Sequence, residues 1–269
     1  MDVQHTHPHP HGTVGGTHLP FADKIRTVDA DTVFHWLALG WHDLLRGGVA
    51  SAAYGAIFAL AGYVIAIGLA RIDSIFLLLP VAAGFTLVAP VLAIGFYRIS
   101  KTLEGGGKAS LGEALTAFQA NAFHILTAGL VLMLFGLIWV RVATLIFALL
   151  FPATGFSADA MLAVLTTAEG FAFLVGAFVV GGAFALVAFV FCAVSLPMMM
   201  DRPGMDFFTA ALVSMQAVLR NPGPMLLWAG IIAVATAAGI ATFFLGLIIV
   251  MPLIGHASWH AYRALVERA

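Results

Sequence analysis

Apolar stretches long enough to cross a lipid bilayer constrain this chain more than any other feature of its sequence. They lie between Gly48 and His260 and hold long runs of valine, isoleucine and leucine without period-two alternation. A bilayer admits only helices or closed barrels, because backbone polar groups in the hydrocarbon must be hydrogen-bonded internally. Strands of a barrel would alternate in polarity. The sequence therefore predicts an all-α, polytopic membrane helical bundle.

The composition agrees with this class. Hydrophobic residues make up 62% of the chain and charged residues 9%, with a mean hydropathy of +1.04. Soluble domains are nearer half apolar and a quarter charged, so a soluble domain is excluded. The net charge of -1 gives no indication of a nucleic-acid partner. The single cysteine, Cys192, excludes an intramolecular disulfide framework. No stretch within residues 1–30 resembles the apolar part of a signal peptide.

Hydropathy predicts six transmembrane helices. The first four have the roughly 20 apolar residues that a crossing helix needs. The last pair is predicted as a tight hairpin turning near Gly239, although Met225 to Val250 could also form one overlong span. The predicted spans lie near residues 48–70, 75–98, 123–150, 170–196, 224–238 and 241–262.

Basic residues predict the orientation, because cytoplasmic loops of membrane proteins carry an excess of lysine and arginine. The loops opposite the chain ends hold only Arg71, and Arg141 lies inside or at the end of the third span. The side of the chain ends holds Lys24, Arg26, Arg46, Arg98, Lys101, Lys108, Arg202, Arg220, Arg263 and Arg268. We therefore expect a multi-pass protein of a bacterial inner membrane with the N- and C-termini in the cytoplasm.

An amphipathic segment precedes each pair of spans, which predicts three parallel repeats of amphipathic helix plus hairpin. The predicted units cover residues 29–104, 109–200 and 205–269. Ser110 and Glu113 form a capping box for the second segment, and Asp206 can cap the third. The apolar positions of the three segments are Val33, Trp36, Leu37, Trp41, Leu44 and Leu45; Leu111, Leu115 and Phe118; and Phe208, Leu212, Met215 and Leu219. Such helices suit the cytoplasmic headgroup layer, or they pack on the ends of the bundle.

Two groups of histidines could bind metal. Residues 1–28 are predicted to form a disordered, histidine-rich cytoplasmic tail, in which His5, His7, His9 and His11 could ligate Cu(II), Ni(II) or Zn(II). The alternative is a solvated tail without a metal role.

The second group lies near the cytoplasmic end of the last span. His256 and His260 stand at positions i and i+4 of one helix face, a spacing that can chelate a metal. His124 could supply a third ligand. Alternatively, these histidines hydrogen-bond carbonyls and phosphates at the interface.

Arg141 is the most costly residue of the chain if it faces lipid. Glu169 opens the fourth span on the same side of the membrane, so the sequence predicts a structural ion pair between Arg141 and Glu169. A transport or proton-relay site is the alternative interpretation of these two charges.

Several stretches resemble a bacterial domain-of-unknown-function family of six-span integral membrane proteins. They are Gly40-Trp41-His42-Asp43-Leu44, Ala83-Gly84-Phe85-Thr86-Leu87-Val88-Ala89-Pro90, Leu137-Ile138-Trp139-Val140-Arg141, Val194-Ser195-Leu196-Pro197 with Asp201-Arg202, Val218-Leu219-Arg220-Asn221-Pro222-Gly223-Pro224-Met225 and Pro252-Leu253-Ile254-Gly255-His256-Ala257-Ser258-Trp259-His260-Ala261-Tyr262-Arg263. The resemblance implies an inner-membrane protein without an assigned activity. Some members carry a label linking them to cytochrome c oxidase subunit I, but this chain lacks the histidines deep within spans that haem and copper would need.

Taken together, these features lead us to expect a non-enzymatic protein without a cofactor that packs against, assembles or regulates a larger membrane complex. Its expected partners are the lipid bilayer and a respiratory or other membrane complex. A small-molecule or lipid transporter is the alternative, with a polar cavity where the spans bearing Pro90, Pro197 and Pro252 meet. A metal-handling membrane protein is a third interpretation.

Overall fold

The computed structural model describes residues 25–72, 74, 77–150 and 166–267. Over these residues the chain is helical apart from turns and one antiparallel bridge, so the all-α prediction is confirmed. The helices are α1 (Ala30–Arg71), α2 (Leu78–Leu92), α3 (Ile94–Glu104), α4 (Leu111–Leu115), α5 (Ala122–Leu150), α6 (Ala168–Cys192), α7 (Ser195–Asp201), α8 (Phe207–Arg220), α9 (Pro222–Ala241) and α10 (Leu247–Leu265). A short 3-10 helix, Ala117–Asn121, leads into α5.

Five segments of the described chain are long and apolar enough to cross a membrane. They are Ala30–Arg71, Val81–Glu104, Ala117–Leu150, Ala168–Asp201 and Pro222–Ala241. These segments overlap the first five predicted spans. The sixth predicted span forms α10, whose second half carries His256, His260 and Arg263. These polar residues lower the mean hydropathy of α10, and α10 is not among the five segments found by length and hydropathy. The count of six spans therefore stays a prediction.

The last two helices form a hairpin, and the alternative of a single overlong span is wrong. α9 ends at Ala241 and α10 begins at Leu247, slightly later than the turn predicted near Gly239. Phe243 and Phe244 in the turn have φ values of 53° and 64°. Phe244 is buried, and its ring packs against Tyr63 of α1 with the centroids 5.9 Å apart. This contact ties the hairpin turn to the second half of α1.

Gly48 divides α1 into two halves that run in different directions. Its φ of 49° and ψ of -125° are non-helical, and glycine adopts such a conformation without a steric penalty. An ideal Cβ on Gly40 would meet Ala257 and Leu253 of α10, and one on Gly55 would meet Ile248 and Pro252. These two glycines are about 22 Å apart along a straight helix, but their contacts on α10 are separated by only about 7 Å. The first half of α1 therefore crosses α10, and the second half runs antiparallel to it.

The third and fourth spans pair as antiparallel helices in a defined register. Phe135 contacts Phe184, and Phe147 contacts Phe173, with ring centroids 4.7 Å and 5.4 Å apart. Between them, an ideal Cβ on Gly181 would lie 2.8 Å from the Trp139 ring. A residue nearer the end of α5 therefore lies beside a residue correspondingly nearer the start of α6. This register gives the relative depth in the membrane of the side chains on the two helices.

Both described ends of the chain meet at one end of the bundle, here called the terminal end. Ile25 bridges to Val266, and the Arg26 amide donates to the Leu265 carbonyl at 2.8 Å. The Asn221 side chain accepts from the Val28 amide at 2.8 Å and donates to the Arg26 carbonyl at 3.0 Å. Residues 25–28, assigned from the sequence to the tail, are therefore bonded to the bundle. The opposite end, which carries Arg71 and the turn between α9 and α10, is called the distal end.

The amphipathic segments lie at the terminal end. Their buried faces pack on the end of the bundle, and their exposed apolar faces suit the headgroup layer. In the first half of α1, Val33 and Trp36 are buried, and Trp36 contacts Trp228 of α9 with centroids 6.1 Å apart. The α1 stripe, defined as Phe34, Trp41 and Leu45, is exposed. The α8 stripe, defined as Phe208, Leu212 and Leu219, is exposed as well. One face of each segment packs on the bundle, and an apolar stripe remains uncovered.

The predicted N-caps Ser110 and Asp206 are confirmed, but the Glu113 carboxylate bonds Arg98 and Thr102, so the reciprocal half of the predicted capping box does not form. The Ser110 hydroxyl accepts from the Glu113 amide at 3.4 Å, and the Asp206 carboxylate accepts from the Thr209 amide at 2.9 Å. The hydrogen bonds from Thr209 lower the pKa of Asp206, because they favour the charged carboxylate. The second segment is shorter than predicted, because α4 covers only Leu111–Leu115 before the chain continues as the 3-10 helix.

Candidate functional site: a polar network around the last helix

His256 lies at the centre of the bundle and is fully buried. Its Nε2 is 2.9 Å from the Ser51 hydroxyl of α1, and its Nδ1 is 2.8 Å from the Ser100 hydroxyl of α3. In a neutral imidazole one nitrogen donates and the other accepts, and each serine hydroxyl can take the complementary role. The Phe96 ring packs against the histidine ring in a T-shaped arrangement, with centroids 5.5 Å apart. His256 thus joins α1, α3 and α10 through hydrogen bonds that leave neither ring nitrogen free.

His260, one turn later on α10, bonds to a carboxylate of α1. Its Nε2 lies 2.8 Å from Asp43 Oδ2, and the Asp43 side chain is only 8% exposed. His42 is more distant, with its Nδ1 3.9 Å from Asp43 Oδ1, and its side chain is 62% exposed. A buried carboxylate needs such a partner because desolvation disfavours its charge. The contact ties the first half of α1 to α10 close to the crossing at Gly40.

Asp201, at the end of α7, connects two further helices, α3 and α10. Its carboxylate lies 2.8 Å from Lys101 Nζ of α3 and 3.6 Å from Arg263 Nη1 of α10, and it accepts from the Tyr262 hydroxyl at 2.8 Å. The Asp201 side chain is 14% exposed. This cluster lies where the three proline-bearing spans meet, which is the place predicted for a polar transport cavity. At the terminal end, the ion-paired and hydrogen-bonded side chains of this cluster fill the position predicted for the cavity.

Glu104 completes the network at the end of α3. It accepts from the Trp259 indole and from Arg263, both at 3.1 Å. The Arg263 guanidinium also lies over the Trp259 ring, 5.7 Å from its centroid, in a cation–π arrangement. Arg263 therefore links Glu104 to Asp201, so that the ends of α3, α7 and α10 form one ionic cluster.

The geometry gives little support to a metal site on the last helix. Metal binding requires a free imidazole lone pair, and Ser51 and Ser100 already bond both nitrogens of His256. In the described part of the chain, no three histidine, cysteine, aspartate or glutamate side chains come together as a metal site. His124, the third candidate ligand, contacts Phe123 at the start of α5. The other candidate ligands, His5, His7, His9 and His11, lie outside the described residues.

Arg141 and Glu169 do not form an ion pair in the structure. The register of α5 and α6 gives the reason. Arg141 lies beside the level of Val179 on α6, about ten residues from Glu169, which corresponds to about 15 Å along the helix. Arg141 is exposed on the outer face of α5, and Glu169 is exposed in the first turn of α6.

Two open grooves mark the apolar surface of the spans. The first, about 460 Å³, lies along the outer face of α5. It is lined by Leu134, Leu137, Ile138, Arg141, Val142 and Leu145. The second, about 240 Å³, lies among α2, α5 and α6, and Thr86, Trp139 and Gly181 are among its lining residues.

Sequence reasoning found the histidines of the network but not their partners. Ser51 and Ser100 are ordinary small residues in apolar helices, and no local pattern distinguishes them. Asp43 is a charged residue within the first amphipathic segment, and in the structure it faces inward. The buried face of α1, which carries Asp43, holds no lysine or arginine. This absence could have predicted that Asp43 pairs with a side chain of another helix.

Asp201→Asn should lower the stability of the protein more than a matched change at the surface. It removes the charge that faces Lys101 and Arg263, and a half-broken buried ion pair costs about 2–3 kcal/mol. At about 2–4 °C per kcal/mol, we expect the melting temperature in detergent to fall by about 5–10 °C. Glu113→Gln is the control, because the Arg98–Glu113 pair is 40% and 47% exposed, and such pairs contribute little. Equal shifts for the two variants would contradict a structural role for the Asp201 cluster.

Comparison with known proteins agrees with the membrane class. Residues 78–201, a little under half of the chain, match the model of a family described as "Predicted integral membrane protein (DUF2189)". No curated protein and no solved structure matches the chain. The resemblance to a domain-of-unknown-function family is thus confirmed over α2 to α7, and the chain is a multi-pass integral membrane protein in contact with lipid.

Proposed function

We propose that this protein is a non-enzymatic accessory component of a larger membrane complex, which it helps to assemble or regulate. We place it in a bacterial inner membrane with the terminal end in the cytoplasm. The observation that carries the proposal is the pair of exposed apolar stripes on α1 and α8. An apolar stripe beside a packed face is typical of a helix that contacts a second surface.

The network around α10 supports a structural bundle over a transporter. A transporter needs a water-accessible path, and the meeting point of the proline-bearing spans is occupied by the Asp201 cluster. Above it, His256, Phe96 and Tyr54 pack together with ring centroids 5.5 Å and 4.9 Å apart. The distribution of basic residues supports the orientation, because Arg98, Lys101, Arg202 and Arg263 lie toward the terminal end.

The test is native co-purification from the source membranes in a mild detergent, with partners identified by mass spectrometry. We expect a partner in stoichiometric amount with the wild-type chain. The double variant Phe34→Ala/Leu45→Ala on the α1 stripe should reduce its recovery at least about tenfold, since truncating a central apolar contact costs about 2 kcal/mol.

The matched control is Leu226→Ala/Val234→Ala on α9, whose side chains are similarly exposed but lie on a span. This control should leave partner recovery unchanged. Purification of the wild-type chain as a homo-oligomer without a partner would contradict the accessory role.

Transport of a small molecule or lipid is the second candidate function. The observation that favours it is the groove among α2, α5 and α6, where Trp139 lies beside Gly181 and an apolar chain could rest. Transport of a labelled lipid by the purified protein in vesicles, lost in Gly182→Leu, would support this function over the accessory role. Metal handling by the histidine tail requires stoichiometric metal in protein purified without an affinity tag.

A further inference from the structure

The outer face of α5 has the spacing of a helix-packing seam and a charge at its centre. Leu134, Leu137, Ile138, Arg141 and Leu145 recur at intervals of three and four residues, so their side chains share one face. They line the open groove of about 460 Å³. A groove lined by one helix at this spacing is filled when a second helix packs along it.

Arg141 lies at a depth where lipid is a poor partner. It is about 28 Å from the start of α5 at Ala122 and about 13 Å from its end at Leu150, by the rise of an α-helix. The hydrocarbon core is about 30 Å thick, so Arg141 lies in its distal half. A guanidinium there is costly unless an anion pairs with it.

The described residues of this chain do not supply that anion. Glu169 lies about 15 Å nearer the distal end by the register of α5 and α6. Asp43, Glu104 and Asp201 belong to the network at the terminal end. A second copy would not supply it through Glu169 either, because copies inserted in the same orientation keep each residue at the same depth.

We propose that this face of α5 binds a transmembrane helix of a different membrane protein, and that this helix carries an aspartate or glutamate at the depth of Arg141. The inference rests on the accessory function proposed above and names the chemistry of the partner. Leu134, Leu137, Ile138 and Leu145 pack against the apolar side of the partner helix. Arg141 donates two parallel hydrogen bonds to its carboxylate, which is the arrangement that favours arginine over lysine.

Two readouts on the full-length protein test the proposal. A photo-crosslinking amino acid at Leu137 should form a covalent product with the partner found by co-purification, whereas the same group at Val234 of α9 should not. Arg141→Leu should reduce recovery of the partner at least about tenfold, and Arg141→Lys should give a smaller loss. Because Arg141 is exposed, all variants should remain monodisperse with unchanged melting temperatures.

The outcomes separate this inference from the accessory function. A partner that is recovered equally with Arg141→Leu, together with crosslinks at Leu137 only to lipid or to a second copy, would overturn the α5 site and leave the accessory role intact. Absence of any partner from the wild-type preparation would overturn both. A crosslink from Leu137 to a partner segment that carries no carboxylate would also contradict the proposal.

Discussion

Replacing Gly40 with alanine should separate α1 from α10 and strongly destabilise the protein. An ideal Cβ at this position would lie 2.7 Å from the backbone nitrogen of Ala257 and 2.9 Å from the carbonyl oxygen of Leu253. Backbone atoms of a packed helix cannot move aside as a flexible side chain does. Overpacking of this kind costs about 1–3 kcal/mol, and at about 2–4 °C per kcal/mol the melting temperature in detergent should fall by about 2–12 °C.

Gly230→Ala is the matched control for this substitution. Gly230 also lies inside a helix, but nothing is within 4 Å of its ideal Cβ. Alanine is favoured over glycine in helices by about 1 kcal/mol, so this variant should be unchanged or slightly stabilised. If Gly40→Ala behaved like Gly230→Ala, the close crossing of α1 and α10 would be wrong.

Replacing His256 with alanine should destabilise the protein more than Gly40→Ala does, for a different reason. The change leaves a cavity and deprives the buried hydroxyls of Ser51 and Ser100 of their shared partner. A buried cavity costs about 2–4 kcal/mol, and each unsatisfied hydroxyl adds about 1 kcal/mol. We expect the bundle to lose the connection between α1, α3 and α10, measured as a large fall in melting temperature and as aggregation on size-exclusion chromatography.

His35→Ala and His256→Gln are the comparisons for this prediction. His35 is exposed on α1, and exposed substitutions usually change stability by less than about 0.5 kcal/mol. His256→Gln keeps a donor and an acceptor, and it should recover part of the lost stability. A His256→Ala variant as stable as His35→Ala would show that the two serine contacts do not hold the helices together.

The helices themselves could be predicted from the sequence, because hydropathy and capping act locally. Long apolar runs require helices in a bilayer, and Ser110 and Asp206 each bond an amide three residues ahead. Gly48 also marks a boundary that the sequence suggested, since the amphipathic segment ends there and the first span begins. These features depend on residues that are neighbours along the chain.

The pairing between helices could not be predicted, because it depends on register. The contacts of His256 join residues 205 and 156 positions apart in the sequence. The predicted pairing of Arg141 with Glu169 placed both residues on the correct side of the bundle. In the register of α5 and α6, however, Arg141 lies beside a position of α6 that is about ten residues from Glu169, which is roughly 15 Å along the helix. Hydropathy fixes the approximate depth of a span but not its register against its neighbour.

The position of the last helix could not be predicted from hydropathy either. α10 has fewer apolar residues than the other spans, because its second half faces α1, α3 and α7 through histidine, tyrosine and arginine. Its central position in the bundle follows from these contacts and from glycines such as Gly255, which lies against the Phe96 ring. Whether α10 crosses the membrane decides where the polar network and both stripes lie.

The most direct test of this account is cysteine accessibility on the two sides of the membrane. Cys192 is the only cysteine of the chain, so Cys192→Ala provides a background for single substitutions at Thr27, Leu245 and Glu267. A membrane-impermeant maleimide should label Leu245→Cys in intact cells, and it should label Thr27→Cys and Glu267→Cys only in inverted vesicles. Labelling of Thr27→Cys and Glu267→Cys from opposite sides would establish an odd number of spans and contradict the account.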